Sequence, residues 1–198
     1  MIDSTHKYLN EVHHILDLLD TTKIDILIST LEYVREQKGR VFCIGVGGGA
    51  SIASHATNDL RKLCDIETYC PTDNAPELTA ITNDNGWEWV FSKYLSESHC
   101  SEKDVLFVFS VGGGSYTKKI STNIAYAVDF AKEKGAGVVG IVGPDGGYTA
   151  EYADVCVKIP CLNRSNMTAH TEGMQSVILH LIVNALKLKE MKWESLNE

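Results

Sequence analysis

Two side chains that could act together in chemistry lie four residues apart in the first third of the sequence. His55 and Asp59 fall in a segment with helical periodicity, about 50–63. At about 100° per residue, positions four apart lie about 40° apart on one face of a helix and one turn apart in height. Such a pair suits two ligands of a metal ion, or an acid–base residue beside its partner. The same spacing also fits an ordinary ion pair on a solvated face, and spacing alone leaves both interpretations open.

A second group of polar side chains lies in the last predicted helix, about 169–189. Glu172 and His180 stand near a run of apolar residues that indicates a mostly buried helix. Buried polar groups need hydrogen-bond partners, so His180 can also be a satisfied core histidine. The two residues are eight positions apart, about 12 Å along a helix. One metal ion could therefore meet both only with long side-chain reach or with ligands from different subunits.

Two glycine-rich turns, 45–50 (GVGGGA) and 110–115 (SVGGGS), each follow an apolar strand pattern and precede a predicted helix. Backbone N–H groups at such turns, aided by the helix dipole, favour phosphate. In an open α/β sheet, ligands bind at the carboxyl ends of the strands. We therefore expect one anionic ligand at this edge. The predicted contacts are Gly47, Gly48, Gly49, Ser110, Gly112, Gly113, Gly114 and Ser115.

Each turn also has another interpretation. The first fits the dinucleotide fingerprint GxGxxA, with Glu67 available about twenty positions on, which would indicate a nicotinamide cofactor. It can also be a tight turn without a ligand. Ser115 can be only the cap of a helix over about 116–134.

The elements that must position these residues alternate along the chain. Two helices open the sequence, the first with Ser4 as a possible cap and the second running from after residues 20–22 to about Gln37. Strands are predicted at 41–44, 67–70, 105–109, 137–142 and 155–159, with helices between them. Strands alternating with helices predict a mostly parallel sheet covered on both faces.

Composition narrows the class of protein. The 198 residues correspond to roughly one domain, and 18 Lys and Arg against 26 Asp and Glu give a net charge of −8. This balance argues against binding to a nucleic-acid backbone. No apolar run approaches the roughly 18 residues that a membrane span needs. The six cysteines form no CxxC pair and no secretory signal is evident, so we expect a cytoplasmic protein with reduced thiols.

Taken together, the chain resembles the SIS sugar-phosphate-binding proteins, and among them the phosphoheptose isomerases. The resemblance rests on the two leading helices, the GxGG turn, the Ser–Gly-rich turn, the segments 81–84 (ITND) and 143–147 (GPDGG), and the last helix with His180. It implies an α/β, flavodoxin-like three-layer sandwich with a mostly parallel five-stranded sheet and helices on both faces. It also implies one domain over 1–198, with 1–38 as a helical oligomerisation segment and 39–198 as the sugar-phosphate-binding core.

The resemblance further implies an activity, namely aldose–ketose isomerisation of a heptose phosphate through an enediol. Asp59 matches the catalytic base, usually Glu, and His180 the catalytic acid. His55, Asp59, Glu172 (usually Gln) and His180 match the ligands of a zinc ion. Asp84 matches a substrate contact, although an Asx turn explains it equally well. The family implies a homotetramer with its site at a subunit interface, and no direct nucleic-acid or membrane partner.

Two loops depart from the family pattern. The first usually reads GNGGS and the second STSGNS, so the chain lacks hydroxyl and amide donors in both. This favours an altered phosphate contact. It also keeps open a non-catalytic alternative, a SIS-domain protein that binds a protein partner such as the bacterial replication initiator. The turn at 145–147 (DGG) we interpret as structural and not as a site, since Pro-Asp-Gly is typical of tight turns.

Overall fold

The structure is a computed structural model that describes the backbone of residues 2–194 and the side chains of residues 3–187. Its helices are α1 (Ile2–Asp17), α2 (Thr21–Glu36), α3 (Gly48–Cys64), α4 (Ala75–Asp84), α5 (Val90–Glu97), α6 (Thr122–Glu133), α7 (Gly147–Tyr152) and α8 (Met167–Glu194). Its strands are β1 (Arg40–Gly45), β2 (Glu67–Tyr69), β3 (Val105–Ser110), β4 (Gly137–Val142) and β5 (Val155–Lys158). The predicted alternation of strands and helices is confirmed.

The five strands form one sheet in the order β2-β1-β3-β4-β5, and every pairing is parallel. This is the flavodoxin-like order, in which β2 is added on one side of β1 and the later strands are added on the other side, beginning with β3. Gly45 pairs with Phe109 and Ser110 with Val142. The strands of the sheet centre therefore end together, which places both glycine turns at one edge. The predicted fold class is confirmed.

Apolar side chains fill both faces of the sheet. Successive residues of β3 point to opposite faces, so that Phe107 and Phe109 join a core with α1, α2, α3 and α8. Leu106 and Val108 join a second core with α4, α5 and α6. A parallel sheet buried on both faces requires such continuous apolar strands. The helices that carry the candidate residues are thus fixed against a rigid sheet.

Two predicted helix starts were wrong. Ser4 lies inside α1 rather than before it. The helix predicted from Tyr116 begins at Thr122, because residues 115–121 form a closed turn in which Ser115 and Ile120 exchange backbone hydrogen bonds of 2.8 and 3.2 Å. Lys119 and Ser121 have positive φ, which a helix does not accept. The second helix, α2, begins at Thr21, and Asp20 caps it through a 3.2 Å hydrogen bond from the Lys23 N–H.

All six cysteines carry thiols, and five of them are buried. Burial raises the pKa of Cys100 and of Cys156 to about 11. Within the described part of the chain, no helix has both the length and the apolar character needed to cross a bilayer.

Candidate active site

Three side chains from two distant parts of the chain meet where α3 and α8 lie side by side. His55 Nε2 lies 3.1 Å from His180 Nε2 and 3.2 Å from Asp59 Oδ2. His180 Nε2 lies 3.9 Å from the same carboxylate oxygen. We call these residues the His–Asp–His cluster. Its members are the base, the acid and one further metal ligand that the resemblance implied.

Packing of the two helices produces this meeting. The buried residues Ala53 and Ala56 on α3 and Ile178 on α8 belong to one core. Small side chains on a helix let a neighbouring helix approach closely, and the Cys64 thiol at the end of α3 donates a 3.7 Å hydrogen bond to the Val183 carbonyl. Helix periodicity then places His55, Asp59 and His180 at the edge of the same contact between α3 and α8. Nothing in the local sequence specifies that contact.

The cluster has the donors of a metal site. Among the described residues, His55, Asp59 and His180 form the group of metal-ligand side chains whose ligand atoms all lie within 4.8 Å of one another. Their separations of 3.1, 3.2 and 3.9 Å are on the scale expected between ligand atoms that share one zinc ion with bonds of about 2 Å. Catalytic zinc has three protein ligands of these types and one open position. The residues present therefore fit zinc.

Asp59 is hydrogen-bonded to a neighbouring residue that the sequence analysis did not single out. Asn58 Nδ2 donates a 2.9 Å hydrogen bond to Asp59 Oδ1, which leaves Oδ2 facing the two imidazoles. The Asp59 side chain is 10% exposed, whereas those of His55 and His180 are 49% and 51% exposed. Asp59 thus contacts both histidines from the buried side of the cluster, and the two histidines form its solvent-exposed side.

Glu172, which the resemblance gave as a fourth zinc ligand, is not among the described residues whose ligand atoms meet in the cluster, and its part in metal binding stays a prediction. Its carboxylate lies against Gly48, where α3 begins, so that a Cβ on Gly48 would overlap it. A carboxylate is favourable at the amino end of a helix because of the helix dipole. It also takes the place in which the first turn would hold a pyrophosphate, which disfavours the dinucleotide interpretation. The alternative partner Glu67 instead accepts a 2.8 Å hydrogen bond from the Tyr69 hydroxyl.

Both glycine turns border one cavity of about 430 Å³. Val46 lines it from the first turn, and Ser110, Gly112 and Ser115 line it from the second. Gly49 has a packing role, because a Cβ there would overlap the Phe109 carbonyl. Gly47 directly precedes α3 and has a φ of 61°. The cavity lies at the sheet edge that the sequence predicted for an anion.

The second turn uses several of its own polar groups. The Gly113 N–H donates to Ser110 Oγ at 3.0 Å, and the Ser115 N–H donates to the Ile120 carbonyl at 2.8 Å. The carbonyls of Gly113 and Gly114 accept from α7 at 2.9 Å each. Fewer backbone amides face the cavity than the sequence alone suggested.

Three polar residues that the sequence analysis assigned to no site line the cavity, namely Lys118, Ser121 and Asp145. Ser121 precedes α6 but makes no side-chain capping hydrogen bond. The signal for it was available, since Ser-Thr-Asn at 121–123 directly precedes the apolar period of α6. Both oxygens of Asp145 accept from Arg164, at 3.0 and 3.1 Å. The guanidinium of Arg164 lowers the pKa of Asp145.

Asp84 lies at the end of α4 and is exposed. Its carboxylate accepts a 2.8 Å hydrogen bond from Asn83. The described residues that line the cavity do not include it. Its part in substrate contact stays a prediction.

Comparison with known proteins gives relatives along the chain, although no family model matches. The chain is 32% identical to the phosphoheptose isomerase of Rhodospirillum rubrum over 149 residues, which cover 73% of each protein. It is 28% identical to that of Vibrio vulnificus over 194 residues, 96% of this chain and 93% of the relative. It is 35% identical over 150 residues to the lincomycin biosynthesis protein LmbN of Streptomyces lincolnensis, covering 73% of this chain but only 54% of LmbN.

Solved structures show the same fold. The phosphoheptose isomerase of Francisella tularensis matches with a TM-score of 0.81 and 21% identity, covering 94% of this chain and 98% of that one. Phosphoheptose isomerase GmhA of Neisseria gonorrhoeae matches with a TM-score of 0.79 and 23% identity, covering 93% and 95%. Together with the relative that is 32% identical, they show that the chain belongs to the phosphoheptose isomerase family of sugar-phosphate isomerases and has the SIS fold.

Proposed function

We propose that this protein interconverts the aldose and ketose forms of a heptose phosphate through an enediol. The observation that carries the proposal is the His–Asp–His cluster, in which a carboxylate and two imidazoles converge from α3 and α8. Isomerisation needs a base at one carbon and an acid near the adjacent oxygens. Names of relatives that act on heptose phosphates support the choice of sugar.

Each member of the cluster has a defined task in this reaction. Asp59 Oδ2 takes the proton from the carbon and returns it to the neighbouring carbon, while Asn58 holds the other oxygen still. His180 exchanges a proton with the sugar oxygens. His55, Asp59 and His180 are the residues that would hold a zinc ion, which when bound polarises the carbonyl and stabilises negative charge on oxygen.

The cavity between the glycine turns would take the anionic end of the sugar. It is bordered by Ser110, Ser115 and Ser121, whose hydroxyls can donate to phosphate oxygens. The Glu172 carboxylate beside Gly48 would repel a second anionic group at the first turn. This favours a substrate that is charged at one end.

The site is proposed to form between two copies of the chain. Met167 lines the cavity and His180 lies thirteen residues further along α8, about 20 Å at 1.5 Å per residue. A seven-carbon chain ending in a phosphate spans at most about 10 Å at ordinary bond lengths. A sugar whose phosphate lies beside Met167 therefore falls short of the cluster of its own chain, and we expect it to meet the cluster of a neighbour.

Exposed apolar residues support this assembly. Val177 and Leu181 flank His180 on α8, and each is 46% exposed. The leading helices expose Leu9, Leu16 and Tyr33 at 57%, 43% and 62%. We expect both surfaces to be covered in a homo-oligomer, with residues 1–38 as the oligomerisation segment and a tetramer as the family's form. Light scattering that gives a monomer at micromolar concentration would contradict this.

A panel of sugar phosphates with product identification tests the activity. Wild type should interconvert a ketose and an aldose heptose phosphate, and Asp59→Asn should lower kcat about 10²–10⁴-fold because the base is lost. Asp65→Asn at the end of the same helix should behave as wild type, since Asp65 is exposed and lies outside the cluster. Equal turnover in Asp59→Asn and wild type would disprove the assignment. No turnover together with no zinc would favour the non-catalytic partner-binding alternative.

A further inference from the structure

The turn 115–121 places a positively charged side chain, that of Lys118, at the cavity. The turn is closed by the Ser115–Ile120 backbone pair, and Ser115 Oγ accepts a 3.1 Å hydrogen bond from the Lys118 N–H. These contacts fix the backbone of Lys118 while its side chain stays exposed. Among the described residues that line the cavity, Lys118 is the one lysine or arginine.

The charges around the cavity leave Lys118 available. Asp145, the acidic residue of the lining, has both oxygens occupied by Arg164. In the described part of the chain, no carboxylate lies within ion-pair distance of the Lys118 ammonium. The Asp145–Arg164 pair carries no net charge, so that Lys118 gives the cavity its positive charge.

The second glycine turn, 110–115, by itself offers few hydrogen-bond donors to a phosphate. The N–H groups of Gly113 and Ser115 already donate within the chain, and the second turn lacks the hydroxyls of the family pattern at Val111 and Gly112. A phosphate monoester carries nearly two negative charges at neutral pH. A dianion with few amide donors needs a cationic partner.

We infer that Lys118 is the counter-charge for the phosphate end of the substrate, and that Ser121 donates a hydroxyl beside it. This inference rests on the proposed function for the identity of the substrate, but the anion contact itself does not. The positive charge of Lys118 thus compensates for the hydroxyl and amide donors that the second glycine turn lacks.

An aromatic anchor holds the turn in place. The Tyr116 hydroxyl donates a 2.5 Å hydrogen bond to Asp129 Oδ2 on α6, and the Tyr148 hydroxyl donates a 2.6 Å hydrogen bond to Oδ1. One carboxylate therefore ties the turn to α6 and α7 together. The contact of Tyr116 therefore fixes the turn that carries Lys118.

Binding of inorganic phosphate to the full chain tests the inference without reference to turnover. By calorimetry, Lys118→Gln should raise the Kd about tenfold, as expected for a lost hydrogen bond to a charged group on an open surface. Lys119→Gln, the adjacent exposed lysine outside the lining, should bind as wild type, and Lys118→Arg should retain most of the affinity. Added salt should weaken binding in wild type more than in Lys118→Gln.

Kinetics then connect the contact with the reaction. In Lys118→Gln we expect KM for a sugar phosphate to rise about tenfold with kcat nearly unchanged, because the phosphate lies far from the reacting carbons. Phosphate binding that is equal in Lys118→Gln and wild type, or absent from wild type, overturns the inference. If Lys118→Gln loses phosphate binding but no sugar phosphate is turned over by wild type, the proposed function fails and the anion contact stands.

Discussion

His55 Nε2 and His180 Nε2 lie 3.1 Å apart although 125 residues separate them in the chain. Two imidazole nitrogens this close share one small space, with Asp59 Oδ2 beside them. One proton or one metal ion can occupy that space, so that the chemistry of the three groups is coupled. The relationship makes several aspects of the site testable.

Zinc content should depend on the cluster. Wild type is expected to retain about one zinc per chain after dialysis, and His55→Gln should retain much less because one of three ligands is lost. His13→Gln on α1, exposed and remote from the cluster, is the matched control. Atomic emission measures the metal, and a chelator should lower turnover of wild type until zinc is restored. Equal zinc in His55→Gln and wild type would place the ion elsewhere.

Asn58 should affect the rate rather than affinity. Removing its hydrogen bond to Asp59 Oδ1 frees the carboxylate to rotate, and loss of such supporting contacts typically costs about 10–100-fold. For Asn58→Ala we expect kcat to fall about tenfold with KM unchanged, measured by steady-state kinetics. A rise in KM with unchanged kcat would show that Asn58 serves substrate binding instead.

Gly48 and Glu172 should behave as one unit. A Cβ at Gly48 would overlap the Glu172 carboxylate, which sits on a flexible side chain and can swing away. Gly48→Ala should therefore keep its melting temperature within a few degrees, and its KM and kcat should differ from wild type in the same direction as those of Glu172→Ala. The double variant should be no worse than Glu172→Ala alone. Fully additive defects in KM or kcat would show that the two positions act independently.

Acid should loosen α1 through Glu11. Its carboxylate accepts hydrogen bonds from Asn166 and Asn163 at 2.7 and 3.1 Å and lies 2.8 Å from His170 Nε2. These contacts, with Asn166 first and then His170 and Asn163, lower the pKa of Glu11 to about 2. Because the folded pKa lies below the ordinary value of about 4.3, this stabilisation is present above that pH. It is lost as the pH falls from there towards 2.

Glu11→Gln measures that contribution. Its melting temperature at neutral pH should lie a few degrees below wild type, on the scale of a lost buried contact in a chain of this size. The gap between the two proteins should narrow between pH 4.5 and pH 2. Glu36→Gln, exposed at the end of α2, should follow wild type throughout. Parallel curves for Glu11→Gln and wild type would contradict the assignment.

The alternation of elements and the position of the glycine turns follow from the sequence by itself. Apolar strands such as 105–109 and helical stripes are local patterns, and parallel strands joined by helices bring their carboxyl ends to one edge. The i, i+4 relation of His55 and Asp59 is likewise set by helix geometry. These features depend on neighbours in the chain, which is why they could be predicted.

Tertiary structure alone decided the remaining features. The meeting of His180 with His55 depends on how α3 packs against α8, and the place of Glu172 depends on the start of α3 beside it. The turn 115–121 replaced a predicted first stretch of helix, because hydrogen bonds across the turn and two positive φ values outweigh helix propensity. Contacts of this kind join residues far apart in the sequence, and their free energy comes from packing that no local pattern encodes.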